Sequence, residues 1–161
     1  MQHTLSVLVQ NHAGVLSRVS GLFSRRGYNI ESLAVGVTEK ENISRMTIVV
    51  EGDNYVVEQV SKQLYKLVEV LKVSDITNEK YVGREMVLVT VAVDPSQRGD
   101  VMQIAEIFKG HIVDLGRKTM MLELTGNEEK INAFVDALHP FGIKEMVRTG
   151  KIALVRGNIR E

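Results

Sequence analysis

The chain of 161 residues contains no cysteine and no tryptophan. Without cysteine there is no disulfide, no thiolate metal site and no sulfur nucleophile, a composition that suits a reducing compartment. An excess of either charge is missing as well: 20 Lys and Arg balance 20 Asp and Glu. A chain built mainly to bind nucleic acid or an anionic membrane carries a basic surplus, so both are excluded as principal partners. No apolar run reaches the ~18 residues of a membrane span. The longest, residues 86–93, is interrupted by Thr90 and reads as a strand. The start, Met1-Gln2-His3-Thr4, lacks the basic residues of a secretion signal, and residues 4–9 are too short and too alternating for its apolar segment. The expected location is the cytoplasm.

What is present is an ordinary globular composition, 44% apolar and 25% charged, with enough mass at 18.0 kDa for one domain or two small ones. Leu5, Val7 and Val9 alternate with Thr4, Ser6 and Leu8, the period of a half-buried strand. After the break Asn11-His12-Ala13-Gly14, the residues Val15, Leu16, Val19, Leu22 and Phe23 fall on one helical face. Arg25 and Arg26 suit the last turn of that helix and Gly27 its end. Alternation resumes at Leu33, Val35 and Val37, and again at Met46, Ile48 and Val50. A second helix with Val56, Val60, Leu64 and Leu67 follows, then a strand through Leu71 and Val73.

The same order returns about 75–85 residues later as a repeat of architecture rather than of residues. A strand at 86–93 is followed by a helix face of Val101, Ile104, Ala105 and Phe108 that ends at Gly110. Strands at 112–115 and 119–124 flank the turn Gly116-Arg117-Lys118. A helix carrying Ile131, Phe134, Val135 and Leu138 stops at His139-Pro140, before a strand at 143–147 and a short tail at 151–155. The fold class is therefore α+β, two tandem ferredoxin-like βαββαβ domains at 1–76 and 84–161 joined by a linker at 77–83. Right-handed crossovers place both helices of each unit on one sheet face and leave the other bare. The strand at 86–93 is apolar on both sides, which predicts partial cover for both faces of the second sheet.

Catalytic and metal signatures are scarce. His3, His12, His111 and His139 share no ligand spacing and read as surface or edge histidines. No paired carboxylates, G-x-S-x-G, Walker loop or G-x-G-x-x-G is found. The informative stretch is Asn11-His12-Ala13-Gly14-Val15-Leu16. The start of a helix offers unsatisfied N–H groups, here from Val15 and Leu16, Gly14 lets a ligand approach the backbone, and Asn11 adds an amide, a set that suits a small carboxylate. Taken alone, the turn is better read as a plain N-cap and turn residue. Asn29, beyond the helix, is the second feature: two chains side by side would bring one chain's helix start to the other's second strand.

The run Asn11-x-x-Gly14-x-Leu16-Ser17-Arg18-Val19-x-Gly21-Leu22-Phe23-x-x-Arg26-Gly27-Tyr28-Asn29-Ile30-x-Ser32-Leu33-x-Val35, with Ser44-Arg45-Met46-Thr47-Ile48, resembles the ACT domain of acetohydroxyacid synthase (acetolactate synthase) small regulatory subunits. The resemblance continues in Glu106-Ile107-Phe108-x-Gly110-x-Ile112-x-Asp114, Arg148-Thr149-Gly150 and Arg156-Gly157, and so covers the whole chain. It implies a subunit without catalysis of its own. Such a subunit binds the catalytic large subunit, raises its activity and confers feedback inhibition by valine in branched-chain amino acid synthesis. Thiamine diphosphate, Mg²⁺ and FAD would belong to that partner. The ACT domains would form a homodimer with valine at the interface, and the motif carries its ligand residues onto Asn11, Gly14, Val15, Leu16, Asn29 and Ile30. No metal ligand and no catalytic residue is implied.

Two rival classes remain. Acylphosphatase-type enzymes share the fold and bind phosphate in the turn after the first strand, and Arg18 near Gly14 faintly resembles their arrangement. However, Arg18 falls a turn inside the helix. An RNA-binding βαββαβ module needs aromatics on its central strands. Residues 4–9 and 44–50 have none.

Overall fold

The computed structural model describes residues 1–157. They divide into two compact units, residues 1–82 with residues 151–157, and residues 83–150. The first unit runs β1 (Gln2–Gln10), α1 (Val15–Arg26), β2 (Ile30–Val37), β3 (Ile43–Glu51), α2 (Asn54–Tyr65) and β4 (Val70–Asp75). The second follows with β5 (Tyr81–Ala92), α3 (Arg98–Phe108), β6 (His111–Leu115), β7 (Thr119–Gly126), α4 (Glu128–Leu138) and β8 (Ile143–Arg148). A last strand, β9 (Ile152–Val155), pairs with β5, whose first residues belong to the first unit. The twice-repeated βαββαβ order is as the hydrophobic periods predict.

In the first unit the antiparallel sheet has the order β2-β3-β1-β4. Its helix side is the apolar set read from the alternation. Leu5, Val7 and Val9 lie beside Met46, Ile48 and Val50, under Val19, Leu22 and Phe23 of α1 and Val57, Val60 and Leu64 of α2. The periodicity in α2 thus centres on Val57 rather than Val56, and Leu67 lies beyond the helix end. Gly27 closes α1 in the left-handed conformation at φ 69°, its N–H directed to the carbonyls of Phe23 and Ser24. The Asp53 side chain caps α2 by accepting the Val56 N–H at 2.9 Å.

The opposite face of this sheet carries Thr4, Ser6 and Leu8 beside Val49, Thr47 and Arg45. It is not bare. The chain comes back after residue 150: the Lys151 N–H donates to Ser32 Oγ at 2.9 Å, Ala153 is buried, and the Arg156 N–H reaches the Lys80 carbonyl at 2.8 Å. The expected second domain, 84–161, ends outside the described residues, and by compactness residues 151–157 group with the first unit although β9 is hydrogen-bonded to β5 of the second sheet. The linker at 77–83 is shorter than expected, because β5 already begins at Tyr81. A strand of four residues has too little local pattern to say which sheet it will join.

The second unit's sheet has the order β6-β7-β5-β8, and Val87, Val89, Val91, Met120, Leu122 and Leu124 face α3 and α4. Its other face is partly covered: Leu88, Thr90 and Ala92 are half-buried, while Met86 is exposed. The residue that ends α3 is Lys109, in the left-handed conformation at φ 60°, rather than Gly110. Gly110 is needed for a different reason: a Cβ there would stand 2.9 Å from the Glu123 carbonyl oxygen of β7. Glu85, 9% exposed, is held by two arms of the Arg148 guanidinium at 3.0 and 3.3 Å, and the third arm donates to Asn132 Oδ1 at 2.7 Å. Arg148→Met leaves a buried carboxylate unpaired and is expected to destabilise the unit by about 2–3 kcal/mol in urea unfolding. Adding Glu85→Gln should restore part of that loss.

Candidate functional site

The expected ligand turn lies where β1 hands over to α1. Asn11 is exposed, and its N–H donates to the Asn42 carbonyl at 2.8 Å, which fixes the turn against the start of β3. Gly14 is the N-cap at φ 89°, without a capping side chain, and no heavy atom lies within 4 Å of where its Cβ would stand. A residue other than glycine would be strained there, yet the space over the backbone is open. The Gly14 carbonyl accepts the Arg18 N–H at 3.0 Å and starts the helix.

The free donors differ from the expectation by one position. The Val15 N–H is directed at the His12 carbonyl at 3.4 Å, and the Val15 side chain is buried in the core. Among the described residues, the N–H groups of Leu16 and Ser17 have no backbone acceptor. They are the pair left to an anion at the positive end of α1. Leu16 is 48% exposed and stands beside them as an apolar contact.

Asn29 and Ile30 are not brought to this turn. The Asn29 carbonyl accepts the Glu51 N–H at 3.3 Å, so Asn29 sits at the end of β3, whereas Asn11 sits at its start. A nine-residue strand puts ~25–30 Å between them. Ile30 packs against the core of the unit. Within one chain the six residues therefore form two separate groups. β2 is an edge strand, and at the turn's end of the sheet it exposes Val35 and Val37. An exposed apolar edge is a template for pairing with another strand.

Two features of the first unit lack a sequence signal. Arg18, the residue that suggested a phosphate site, is paired instead with Glu69, whose carbonyl also accepts the Gln10 N–H at 2.9 Å. The guanidinium braces the turn and faces a carboxylate, which removes the ground for the acylphosphatase comparison. His3 is buried, against the expectation of a surface or edge position. Its Nδ1 lies 3.0 Å from Asp75 Oδ2, and its Nε2 has no partner. Burial raises the pKa of Asp75, but hydrogen bonds from the hydroxyl and N–H of Thr77 and the contact with His3 outweigh it and hold the carboxyl below its ordinary value. Among the described residues no cluster of three or more His, Asp or Glu stands ready to hold a metal ion. No helix among them is long and apolar enough to cross a membrane.

The first unit is an ACT-type domain: residues 5–72, which build its antiparallel βαββαβ sheet and the glycine turn into α1, match the family described as "AHAS small subunit-like ACT domain". Residues 84–157 match "Small subunit of acetolactate synthase". The chain is 56% identical over 158 residues to a probable acetolactate synthase small subunit of Archaeoglobus fulgidus, covering 98% of this chain and 99% of that one. It is 51% identical to the acetolactate synthase small subunit of Aquifex aeolicus, covering 96% of this chain and 81% of the relative. The crystal structure of an acetolactate synthase small subunit from Thermotoga maritima matches with a TM-score of 0.91 at 41% identity, covering 99% of both chains. The chain belongs to the acetolactate synthase small subunit family.

Proposed function

We propose that this chain is the non-catalytic regulatory subunit of an acetolactate synthase. It binds the catalytic large subunit, raises its activity and transmits feedback inhibition by valine. Thiamine diphosphate, Mg²⁺ and FAD belong to the catalytic partner, and this chain supplies no reacting group. The observation that carries the reading is the pair of unsatisfied N–H groups, Leu16 and Ser17, over the open Gly14 turn. Valine's carboxylate meets those donors at the positive end of α1. Its ammonium is met by amide oxygens of Asn11 and, from a second copy, Asn29. The branched side chain rests on Leu16.

The need for a second copy follows from the distance between the two asparagines within one chain. A homodimer joined along the exposed β2 edges would set one chain's turn beside the other's Asn29. Isothermal titration of the purified chain with valine, leucine and isoleucine tests the site. Valine is expected to bind once per chain. Leucine and isoleucine should compete more weakly, since one methylene in an apolar pocket is worth about 1–3 kcal/mol. Because Asn29 is exposed in the single chain, its loss should leave the fold intact. Asn29→Ala is expected to weaken valine binding by roughly 1–3 kcal/mol if its amide is a desolvated partner. Unchanged affinity would confine Asn29 to shaping the start of β2.

A further inference from the structure

The helix-free face of the first sheet and the returning strand β9 enclose a cavity of about 470 Å³ that contains none of the six expected valine ligands. Its size is that of a small-molecule site. Its chemistry follows from strand register. Arg45 on β3 and Lys72 on β4 both pair across Leu8, so they flank β1 on one face of the sheet. One residue pair along, Ser6 and Ser74 oppose each other on the same face. Two cations and two hydroxyls are thus carried by three adjacent strands under the cover of Ala153, Leu154 and Val155.

The cavity lining carries two cations and two carboxylates, Arg45 and Lys72 with Asp75 and Glu79, but no ion pair joins them among the described residues. Arg45 donates one N–H to Ser6 Oγ at 2.5 Å and keeps its remaining donors. Among the described residues neither Arg45 nor Lys72 has a carboxylate partner. Of the two carboxylates in the lining, Asp75 has its oxygens occupied by His3 and Thr77, and Glu79 is exposed beyond the end of β4. Arg45 is half-buried, and a guanidinium held out of bulk water favours an anion beside it. The strand spacing of ~4.8 Å places the two cationic residues ~10 Å apart at the backbone, a gap that their long side chains can close around one ligand group.

We propose that this cavity is a second effector site, independent of the valine turn, which binds a small molecule through a phosphate or carboxylate group held between Arg45 and Lys72, with Ser6 and Ser74 as hydroxyl partners. The returning strand forms its cover, so a bound ligand ties the tail to the sheet.

The test is isothermal titration of the full chain with inorganic phosphate, pyrophosphate and citrate, followed by hydrogen exchange of the β9 amides. Saturable binding of one equivalent, with slower exchange in β9, is expected for at least one of the three. Preference for the phosphates or for citrate identifies the anionic group. Lys72 is exposed, so Lys72→Gln should leave the unfolding temperature unchanged and weaken binding about tenfold or more; Arg45→Gln added to it should abolish binding. No saturable binding of any probe at millimolar concentration overturns the proposal, as does equal binding by the Lys72→Gln chain. Gly14→Asp separates this site from the turn. Retained anion binding in that chain supports the cavity, whereas its loss assigns the anion to the start of α1 and overturns the proposal.

Discussion

An enzyme assembled with the Gly14→Asp chain is expected to keep its activity and lose inhibition by valine. The new carboxylate would stand at the N-cap of α1, within reach of the Leu16 and Ser17 N–H groups that have no acceptor of their own. Aspartate is among the preferred N-cap residues, so the side chain would take the donors that the ligand's carboxylate needs. It would also repel that carboxylate, and like charges brought together in a binding site cost several kcal/mol. The two effects together predict a loss of more than ~100-fold in valine affinity.

The cost to the fold is small. The φ of 89° at Gly14 strains any other residue by about 1 kcal/mol, but nothing within 4 Å obstructs a Cβ, and the new cap at the positive end of α1 offsets part of the strain. Gly14→Ala carries the strain without the charge. It should therefore retain most of the valine response, and inhibition curves of the three assembled enzymes separate charge from backbone. Full valine sensitivity in Gly14→Asp would remove the turn from the site.

The difference between what was legible in the sequence and what was not follows the range of the interactions. The alternation of Leu5, Val7 and Val9 and the helical spacing of Val19, Leu22 and Phe23 are local, and each fixes a face by itself. Gly14 and Gly27 mark turns for reasons of backbone conformation that any reader of the chain can apply. The break between β1 and α1 is legible for that reason, whereas only the folded turn shows the Val15 N–H directed at His12 and the Leu16 and Ser17 N–H groups left over. Ile30, which the motif assigns to the ligand, pairs across the sheet with Val50 and is half-buried against the core, a placement that only the strand register shows.

The long-range features were beyond any local pattern. His3 meets Asp75 across 72 residues of sequence, and Lys151 meets Ser32 across 119. Such contacts come from sheet order, which periodicity does not encode. The Arg18–Glu69 pair is of the same kind. Without it, Arg18 was open to a catalytic reading.

Removing residues 83–150 and bridging Val82 to Lys151 with a short Gly/Ser linker is expected to leave a subunit that activates the enzyme but answers poorly to valine. The first unit is discontinuous in sequence, so stopping the chain near residue 80 would also delete β9 and uncover Val49 and Ile76 on the helix-free face of the sheet. The excision avoids this. Its two ends meet in the first unit, where Lys151 Nζ lies 5.9 Å from the Tyr81 ring centroid and the Arg156 N–H reaches the Lys80 carbonyl. The first unit keeps its own apolar core and the whole turn at residues 11–17, so folding should survive, and valine binding with it if the turn is the valine site. Inhibition requires more than binding, because a ligand shifts an equilibrium only by its different affinity for the active and inactive arrangements. That bias is here assigned to the second unit, which has no comparable ligand turn: it favours the inhibited arrangement, and valine strengthens that preference. Without the second unit, valine binds with nothing to bias, and by linkage its affinity should no longer change when the catalytic subunit is added. Titrating the catalytic subunit with the excised and the full-length chain, each with and without valine, measures both effects. Activation by both chains, with valine inhibition weaker on the order of tenfold for the excised one, is the expected outcome. Equal inhibition would place the entire switch in the first unit.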